Sequence, residues 1–455
     1  MQRKSIYISA SIILIMTLAF GLKAIIPALV IIWLLHQIIF SDHIWYNTNE
    51  DYTYEFSDVN AKSITIEKGT FSFESSNQPT TYLIEVFSKS TLTGKFLDPY
   101  VKISCKDKQI QHYFERSVNG KRFLNITSLV ESFGSYEITI EQNYCSISNS
   151  AVLYTFNNSN INLDCIMVIA PHADDAEIAA FGLYSNTNSH IVTVTAGEVE
   201  PYTFKHFSSN SKIASRLKGL VRSWDSLTVP VWGNQPFSNS IQLGYFCKQL
   251  PAMEKSPLIP VLSQTSEVTD TRVFRQFNAF KLSSDNSGHP TWVNLVQDFV
   301  ELINQIKPTT IITPHEQLDS HPDHKAATSA LREALSKSNH HPDHLLLYTN
   351  HLSTTDMHPF GPAHTSVSLP PSLEVTKIES VFSFPLNEED QLAKAVSLEM
   401  MHDLRRPQKL KQKIRSVLQS IFIDRKTSNY GHDPFFRKSV RSNELFFIES
   451  INDDA

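Results

Sequence analysis

Two short stretches of this 455-residue chain hold the residue types that bind a metal and move protons. The first runs from Val168 to Ile178. It reads as the end of a hydrophobic strand, Cys165–Ala170, broken at Pro171 into His172-Ala173-Asp174-Asp175 and continued as a helix from Ala176 to about Ser185. A polar turn between strand and helix stands at the carboxyl end of a sheet strand, where open α/β sheets hold their ligands. His172 and Asp175 are three apart and can turn toward one point, and imidazole with carboxylate is a ligand pair suited to Zn²⁺. Asp174, between them, is left free as a base. The second stretch, Thr313 to Ala327, follows a strand at Thr309–Thr313 and precedes a helix from Ala326 to about Ser336; it contains His321-Pro322-Asp323-His324. One histidine from it completes a three-ligand site with an open position for water, as catalytic zinc requires.

Pro-His-x-Asp-Asp after a first strand, with His-Pro-Asp-His some 150 residues later, resembles the PIG-L/LmbE family of zinc-dependent de-N-acetylases of N-acetylglucosamine conjugates. The resemblance covers roughly residues 163–450. It implies Zn²⁺ held by His172, Asp175 and His324, with Asp174 as general base. It further implies that His321 stabilises the oxyanion and protonates the leaving amine, and that Asp323 orients the His321 ring. The commoner first motif has proline where this chain has Ala173; the ligand types are unchanged, but the turn can differ.

The elements expected to position these residues form an α/β fold, a Rossmann-like and mostly parallel sheet over residues 163–455. A strand at Ile191–Ala196 ends in Thr195-Ala196-Gly197-Glu198, and Glu198 and Glu200 resemble sugar-contacting positions of the family. Lys212–Ser226 reads as a helix carrying Arg222, which resembles a substrate-contacting position, and Leu227–Val231 reads as the third strand. Residues 234–291 have little periodicity and are expected to roof the cleft as a long functional loop; Leu243-Gly244-Tyr245 within them resembles a family segment. Trp292–Ile306 is the next helix. A second copy of His-Pro-Asp-His, His341 to His344, runs into a strand rather than out of one, and is read as a surface turn away from the chemistry. Lys394 and His402 resemble the family's late Lys…His helix. The segment Gln408–Ile423 reads as an amphipathic helix among Arg405, Arg406, Lys409, Lys411, Lys413, Arg415, Arg425 and Lys426, a pattern that either packs on its own domain or lies on anionic lipid.

Upstream, residues 5–40 are nearly all apolar, interrupted by Gly21, Lys23 and Pro27. Each half is at the short limit for a membrane span. The expectation is a transmembrane segment over residues 1–44, as a helical hairpin or a single span, with Arg3 and Lys4 on the inner side. A bacterial-type inner-membrane location follows, with the side of the catalytic region left open. Residues 45–157 alternate with period two and read as a small antiparallel β-sandwich, with Asn119-Gly120 as a hairpin turn. Such a unit serves as a spacer, separable from the catalytic region, or binds glycan through its aromatics. Asn157–Asn162 is the linker. Cys105 and Cys145 are read as a pair or as free thiols. A net charge of −6 gives no sign of nucleic-acid binding. The expected partners are an amino-sugar glycoconjugate, lipid-linked or polysaccharide, and membrane lipid. The expected activity is zinc-dependent release of acetate from an N-acetylated amino sugar. The alternatives are another metal-dependent amidase or esterase, or an inactive glycan-binding protein.

Overall fold

The computed structural model describes residues 2–405, 408–425 and 434–451, the side chains of residues 2–8 and 20 excepted. Arg406 and Lys426, and the side chains of Arg3 and Lys4, lie outside the described residues.

The chain opens with helices α1 (Gln2–Phe20) and α2 (Ile25–Ile38), parted at Gly21, whose φ is +73°. Among the described residues no helix is long and apolar enough to cross a membrane. That overturns the expected transmembrane segment, and with it the inner-membrane location argued from it. The physical reason is length. The apolar run is cut at Gly21, and α2 keeps 14 residues, or roughly 21 Å of rise against a hydrocarbon core of about 30 Å. The 19 residues of α1 begin with Gln2, Arg3, Lys4 and Ser5, which shortens its apolar part further. The end of α2 is also covered by protein: the Arg415 guanidinium donates to Gln37 Oε1 at 3.1 Å, and Gln419 Nε2 donates to the Gln37 carbonyl at 3.1 Å.

Nine strands follow: β1 (Tyr54–Phe56), β2 (Asn60–Thr65), β3 (Thr70–Glu74), β4 (Thr80–Ser90), β5 (Tyr100–Cys105), β6 (Lys108–Tyr113), β7 (Asn119–Asn125), β8 (Ser135–Asn143) and β9 (Cys145–Asn157). All but β1 form two antiparallel four-stranded sheets, ordered β2-β9-β4-β7 and β3-β8-β5-β6. Alternate residues such as Tyr82, Ile84, Val86, Val101, Ile103, Ile138 and Ile140 meet in one core, as half-buried strands of period two require. Asn119-Gly120 opens β7 rather than forming its turn. Cys105 and Cys145 are both buried and free.

The rest is a seven-stranded sheet between helices. In chain order it comprises β10 (Ile166–Ala170), α3 (Asp175–Ser185), β11 (Ser189–Thr195), α4 (Ser211–Trp232), β12 (Ser240–Tyr245), α5 (Leu250–Lys255), α6 (Arg272–Arg275), α7 (Trp292–Ile306), β13 (Thr310–Pro314), α8 (Pro322–Leu335), β14 (His344–Tyr348), β15 (Thr376–Ile378), β16 (Ser380–Pro385), α9 (Glu388–Met400), α10 (Leu410–Ile423), α11 (Pro434–Ser439) and β17 (Asn443–Ser450). The order β12-β11-β10-β13-β14 is parallel, and β17 and β16 extend it antiparallel; β15 pairs with β1 instead. The expected third strand, Leu227–Val231, is the last part of α4: Leu227, Val229 and Pro230 continue its buried face. A short apolar run does not by itself separate strand from helix. The third-strand place goes to β12, inside the expected loop, with all six residues buried.

The β2-β9-β4-β7 sheet and the seven-stranded sheet share a core. Tyr52, Leu83, Phe123 and Phe156 pack in one cluster with Met167, Val192, Leu345 and Phe447. Asn125 Nδ2 donates to the Val367 carbonyl at 3.0 Å, and Asn158 Nδ2 donates to the Val381 carbonyl at 3.0 Å.

Candidate metal centre

β10 and β13 are adjacent and parallel, so the loops at their carboxyl ends face each other. The first loop becomes α3 and the second α8, each with its motif at the helix start. There His172 Nδ1 lies 3.1 Å from Asp175 Oδ2, His324 Nε2 lies 3.1 Å from the same oxygen, and the two ring nitrogens are 3.3 Å apart. Four-coordinate zinc with bonds of about 2.0–2.1 Å sets its ligand atoms roughly 3.3–3.4 Å apart. The triangle therefore has the size of one face of a zinc tetrahedron. The charge balance also fits. Asp175, Asp319 and Asp323, all buried, surround two buried imidazoles, and a dication offsets such charge. Without one, burial alone would keep the His324 ring neutral, but Asp175 and Asp319 raise it to about 9. Burial alone would raise Asp175, but His324 and His172 hold it well below the usual carboxylate range. His172 with His321 and His324, and His172 with Cys247 and Asp323, also bring ligand-type atoms together.

Each ligand-type group is held from behind. Asp319 Oδ2 lies 3.0 Å from His324 Nδ1 and accepts from the Asn350 and His351 amides at 3.0 and 3.2 Å. Its Oδ1 accepts from the His321 amide at 2.9 Å. Asn350 Nδ2 donates to Asp175 Oδ1 at 2.8 Å. The Asp323 carboxylate lies 3.2 Å from His172 Nε2 and accepts from the Lys248 amide at 2.6 Å. Asp323 was expected to orient His321; its side chain meets His172 instead, and only its backbone N–H reaches His321, donating to Nδ1 at 3.2 Å. That bond leaves the ring proton of neutral His321 on Nε2. Burial, with His172 and His324 nearby, lowers His321 to about 4.

Asp174 has φ +109°, a backbone region that non-glycine residues occupy only under constraint. Arg222 supplies the constraint. Its Nη2 donates to the Ala173 carbonyl and lies 3.4 Å from Asp174 Oδ2, while Nη1 donates to Asp403 at 2.6 Å. Gly197, at φ +63°, makes room for it: a Cβ there would stand 2.3 Å from Arg222 Nε. Burial raises Asp174 to about 7 against the pull of Arg222. Asp174, His172, His321, Lys218, Arg222 and Glu200 line a cleft of ≈ 270 Å³. Glu198 lies beneath it, fully buried, accepting from Ser263 Oγ at 2.7 Å.

Asp319, Asn350 and His351 were not singled out from sequence. Asn350 and His351 follow β14, so the rule that pointed to the other two loops, polar residues at the carboxyl end of a parallel strand, would have found them. The second His-Pro-Asp-His copy lies away from the candidate site, at the other end of that strand, as its run into the strand implies. It sits at the amino end, where His344 opposes Thr310 and is buried rather than on a surface turn. Lys394 is also buried, paired with Glu444 at 2.7 Å, and His402 lies 2.7 Å from Asp225.

Residues 167–335 match the family PIG-L, described as GlcNAc-PI de-N-acetylase. No curated protein matches the chain. Among solved structures, the chain is similar to GalB, the 4-carboxy-2-hydroxymuconate hydratase of Pseudomonas putida KT2440, at 10% identity over 64% of this chain and 98% of that one, with a TM-score of 0.32. A family two carbohydrate esterase from Cellvibrio japonicus follows at 10% identity over 76% of this chain and 98% of that one, TM-score 0.15. TM-scores this low carry no argument about fold or activity.

Proposed function

For a chain whose residues 167–335 are a PIG-L domain, we propose that the activity is hydrolysis of the acetamide of an N-acetylated amino sugar, with Zn²⁺ held by His172, Asp175 and His324. One observation carries this reading: three ligand-type atoms 3.1–3.3 Å apart at the floor of a cleft, with Asp174 beside them. When bound, the zinc supplies Lewis acidity, lowering the pKa of water and polarising the carbonyl.

The chain's own residues do the rest. Asp174 removes a proton from the water that attacks the carbonyl carbon; a carboxylate near 7 is matched to that task at neutral pH. Neutral His321, with its proton on Nε2, donates a hydrogen bond to the developing oxyanion, and the proton that Asp174 took from the water passes to the nitrogen as the C–N bond breaks. Asp319 and Asp323 hold the rings of His324 and His172 from behind. Arg222, Lys218 and Asp403 form a charged rim suited to sugar hydroxyls.

The test is acetate release by zinc-loaded protein from amide and ester panels built on N-acetylglucosamine. Turnover of acetamides over esters, abolished by chelation and restored by Zn²⁺, is expected. Full activity of metal-free protein, or an ester preference, would sink the proposal.

A further inference from the structure

A further loop reaches the metal cleft from β12. It leaves the strand after Tyr245 and carries Cys247 and Lys248. Two bonds pin it: the Cys247 amide donates to Glu198 Oε2 at 3.2 Å, and the Lys248 amide donates to Asp323 Oδ2 at 2.6 Å. The Cys247 thiol is thereby fixed beside His172, and both residues line the cleft. The Cys247 sulfur, a nitrogen of His172 and a carboxylate oxygen of Asp323 lie within 4.8 Å of one another. Among the described residues no other cysteine joins such a group.

The His172 ring has two edges. Its Nδ1 faces Asp175 and His324, and its Nε2 faces the Asp323 carboxylate at 3.2 Å. Asp323 has binding capacity to spare: its Oδ1 is enclosed and has no hydrogen-bond partner among the described residues. Buried polar atoms are as a rule partnered, and a cation satisfies a carboxylate oxygen that no N–H reaches. Thiolate, imidazole and carboxylate are the ligand types of zinc, and the thiolate favours soft ions. Nitrogen and oxygen ligands of tetrahedral zinc stand roughly 3.3–3.4 Å apart, and nitrogen and sulfur about 3.5 Å. The 3.2 Å between His172 Nε2 and Asp323 already has that size, and a modest turn of Cys247 about its Cα–Cβ bond brings the sulfur in.

We propose that His172, Cys247 and Asp323 form a second metal position, for a thiophilic divalent ion, on the opposite edge of the ring from the first. Binding there replaces the Asp323–His172 hydrogen bond by metal bonds and fills the cleft beside Asp174 and His321, so the ion inhibits turnover. The inhibition rests on the de-N-acetylase reading; the metal position itself does not.

The probe is Cd²⁺, added to the full chain after loading with a single equivalent of Zn²⁺. It is followed by the ultraviolet thiolate-to-cadmium charge-transfer band, with both metals counted by elemental analysis. About one Cd²⁺ per chain should bind with the band while the zinc stays. Cys247→Ser should abolish the band and weaken Cd²⁺ by at least the ~10- to 100-fold that loss of an outer partner costs a metal site. A chain carrying Cys105→Ala, Cys145→Ala and Cys165→Ala keeps Cys247 as its single cysteine. It should keep the band, and it carries the test if Cys247→Ser does not fold. No band, a band that survives Cys247→Ser or is lost from the single-cysteine chain, or cadmium that replaces the zinc ion for ion would each overturn the second position. For the inhibition, the fraction of acetate release lost on a second equivalent of Zn²⁺ should be large in the parent and small in Cys247→Ser. Equal fractions would overturn it. Cadmium binding as expected, without acetate release by the zinc-loaded chain, would instead sink the de-N-acetylase reading and leave the metal position standing.

Discussion

Asp319→Asn is the sharpest probe of how the candidate metal centre is held, because it changes a single atom outside the proposed ligand set. The carboxylate takes four donors: His324 Nδ1, the Asn350 amide and the His351 amide on Oδ2, and the His321 amide on Oδ1. An asparagine can place its one oxygen where Oδ2 was, but its NH₂ then faces the His321 amide, donor against donor. The reverse orientation leaves three donors without an acceptor. Either way His324 loses a charged partner that holds the tautomer with Nε2 free. Partners of this kind are typically worth 10- to 100-fold in metal affinity, or about 1.4–2.7 kcal/mol. The assay is competition for Zn²⁺ against a chromophoric chelator, with thermal unfolding of the metal-free variant to check that it folds. Zinc affinity should fall by that factor, and turnover at saturating zinc should fall less. A folded variant with unchanged zinc affinity would refute the idea that His324 is a ligand held through Asp319.

Asp174→Asn and His321→Ala should keep stoichiometric zinc and lose ~10²–10⁴-fold in kcat; loss of zinc from either would reassign that residue to the ligand set. Gly197→Ala should lower both kcat and the unfolding midpoint, since its Cβ meets Arg222 at 2.3 Å on a left-handed backbone; a neutral result would remove Arg222 from its role in holding the Asp174 turn. His112 is buried and burial depresses it to about 3. Its contribution is therefore fully present above the unfolded-state value of about 6.5 and is lost as pH falls toward 3, on the order of a few kcal/mol. Urea unfolding of His112→Gln between pH 7 and pH 4 should show a shallower decline than the parent, and equal slopes would contradict the assignment. A chain starting at residue 158 should be far less stable than the full chain, or aggregate, because it bares the face that Tyr52, Leu83, Phe123 and Phe156 cover; a cooperative, soluble fragment of near-parental stability would show that the shared core contributes little.

The parts of the candidate metal centre that were legible in the sequence are those that local order alone specifies. His172, Asp174 and Asp175 follow a buried strand and start a helix, and His321 and His324 do the same 150 residues on; strand-turn-helix patterning carries that information. What was not legible depends on pairing. Leu227–Val231 and Ser240–Tyr245 are both short apolar runs, and only their neighbours decide that the first ends a helix and the second joins β11. The Asp323 side chain could face either His321 or His172, and the choice depends on the Lys248 amide, 75 positions away in the chain. The N-terminal run was divided correctly at Gly21, but its second half was counted as long enough to span, whereas α2 keeps 14 residues.

The β-sheets of residues 60–157 reach the segment that walls a cavity of ≈ 90 Å³ adjoining the cleft at Ile178 and Phe435. The Gln111 carbonyl accepts from the Ser366 amide at 2.9 Å, and Asn125 Nδ2 donates to the Val367 carbonyl at 3.0 Å. Tyr54 OH donates to the Pro370 carbonyl at 2.7 Å. The Tyr113 ring lies against Gly361, at a point where a Cβ would stand 2.4 Å away. Residues 358–370 are thus clasped from the β side, while Arg441 and Arg437 clasp the 357–361 carbonyls from the other. An irregular segment with few bonds of its own would otherwise be free to move. Val367, Ser368 and Pro370 line the cavity, so its shape depends on strands as much as 242 positions earlier in the chain. A simple spacer would not need those contacts. A unit that builds one wall of that cavity would, even though the β-sheets supply none of the candidate metal ligands.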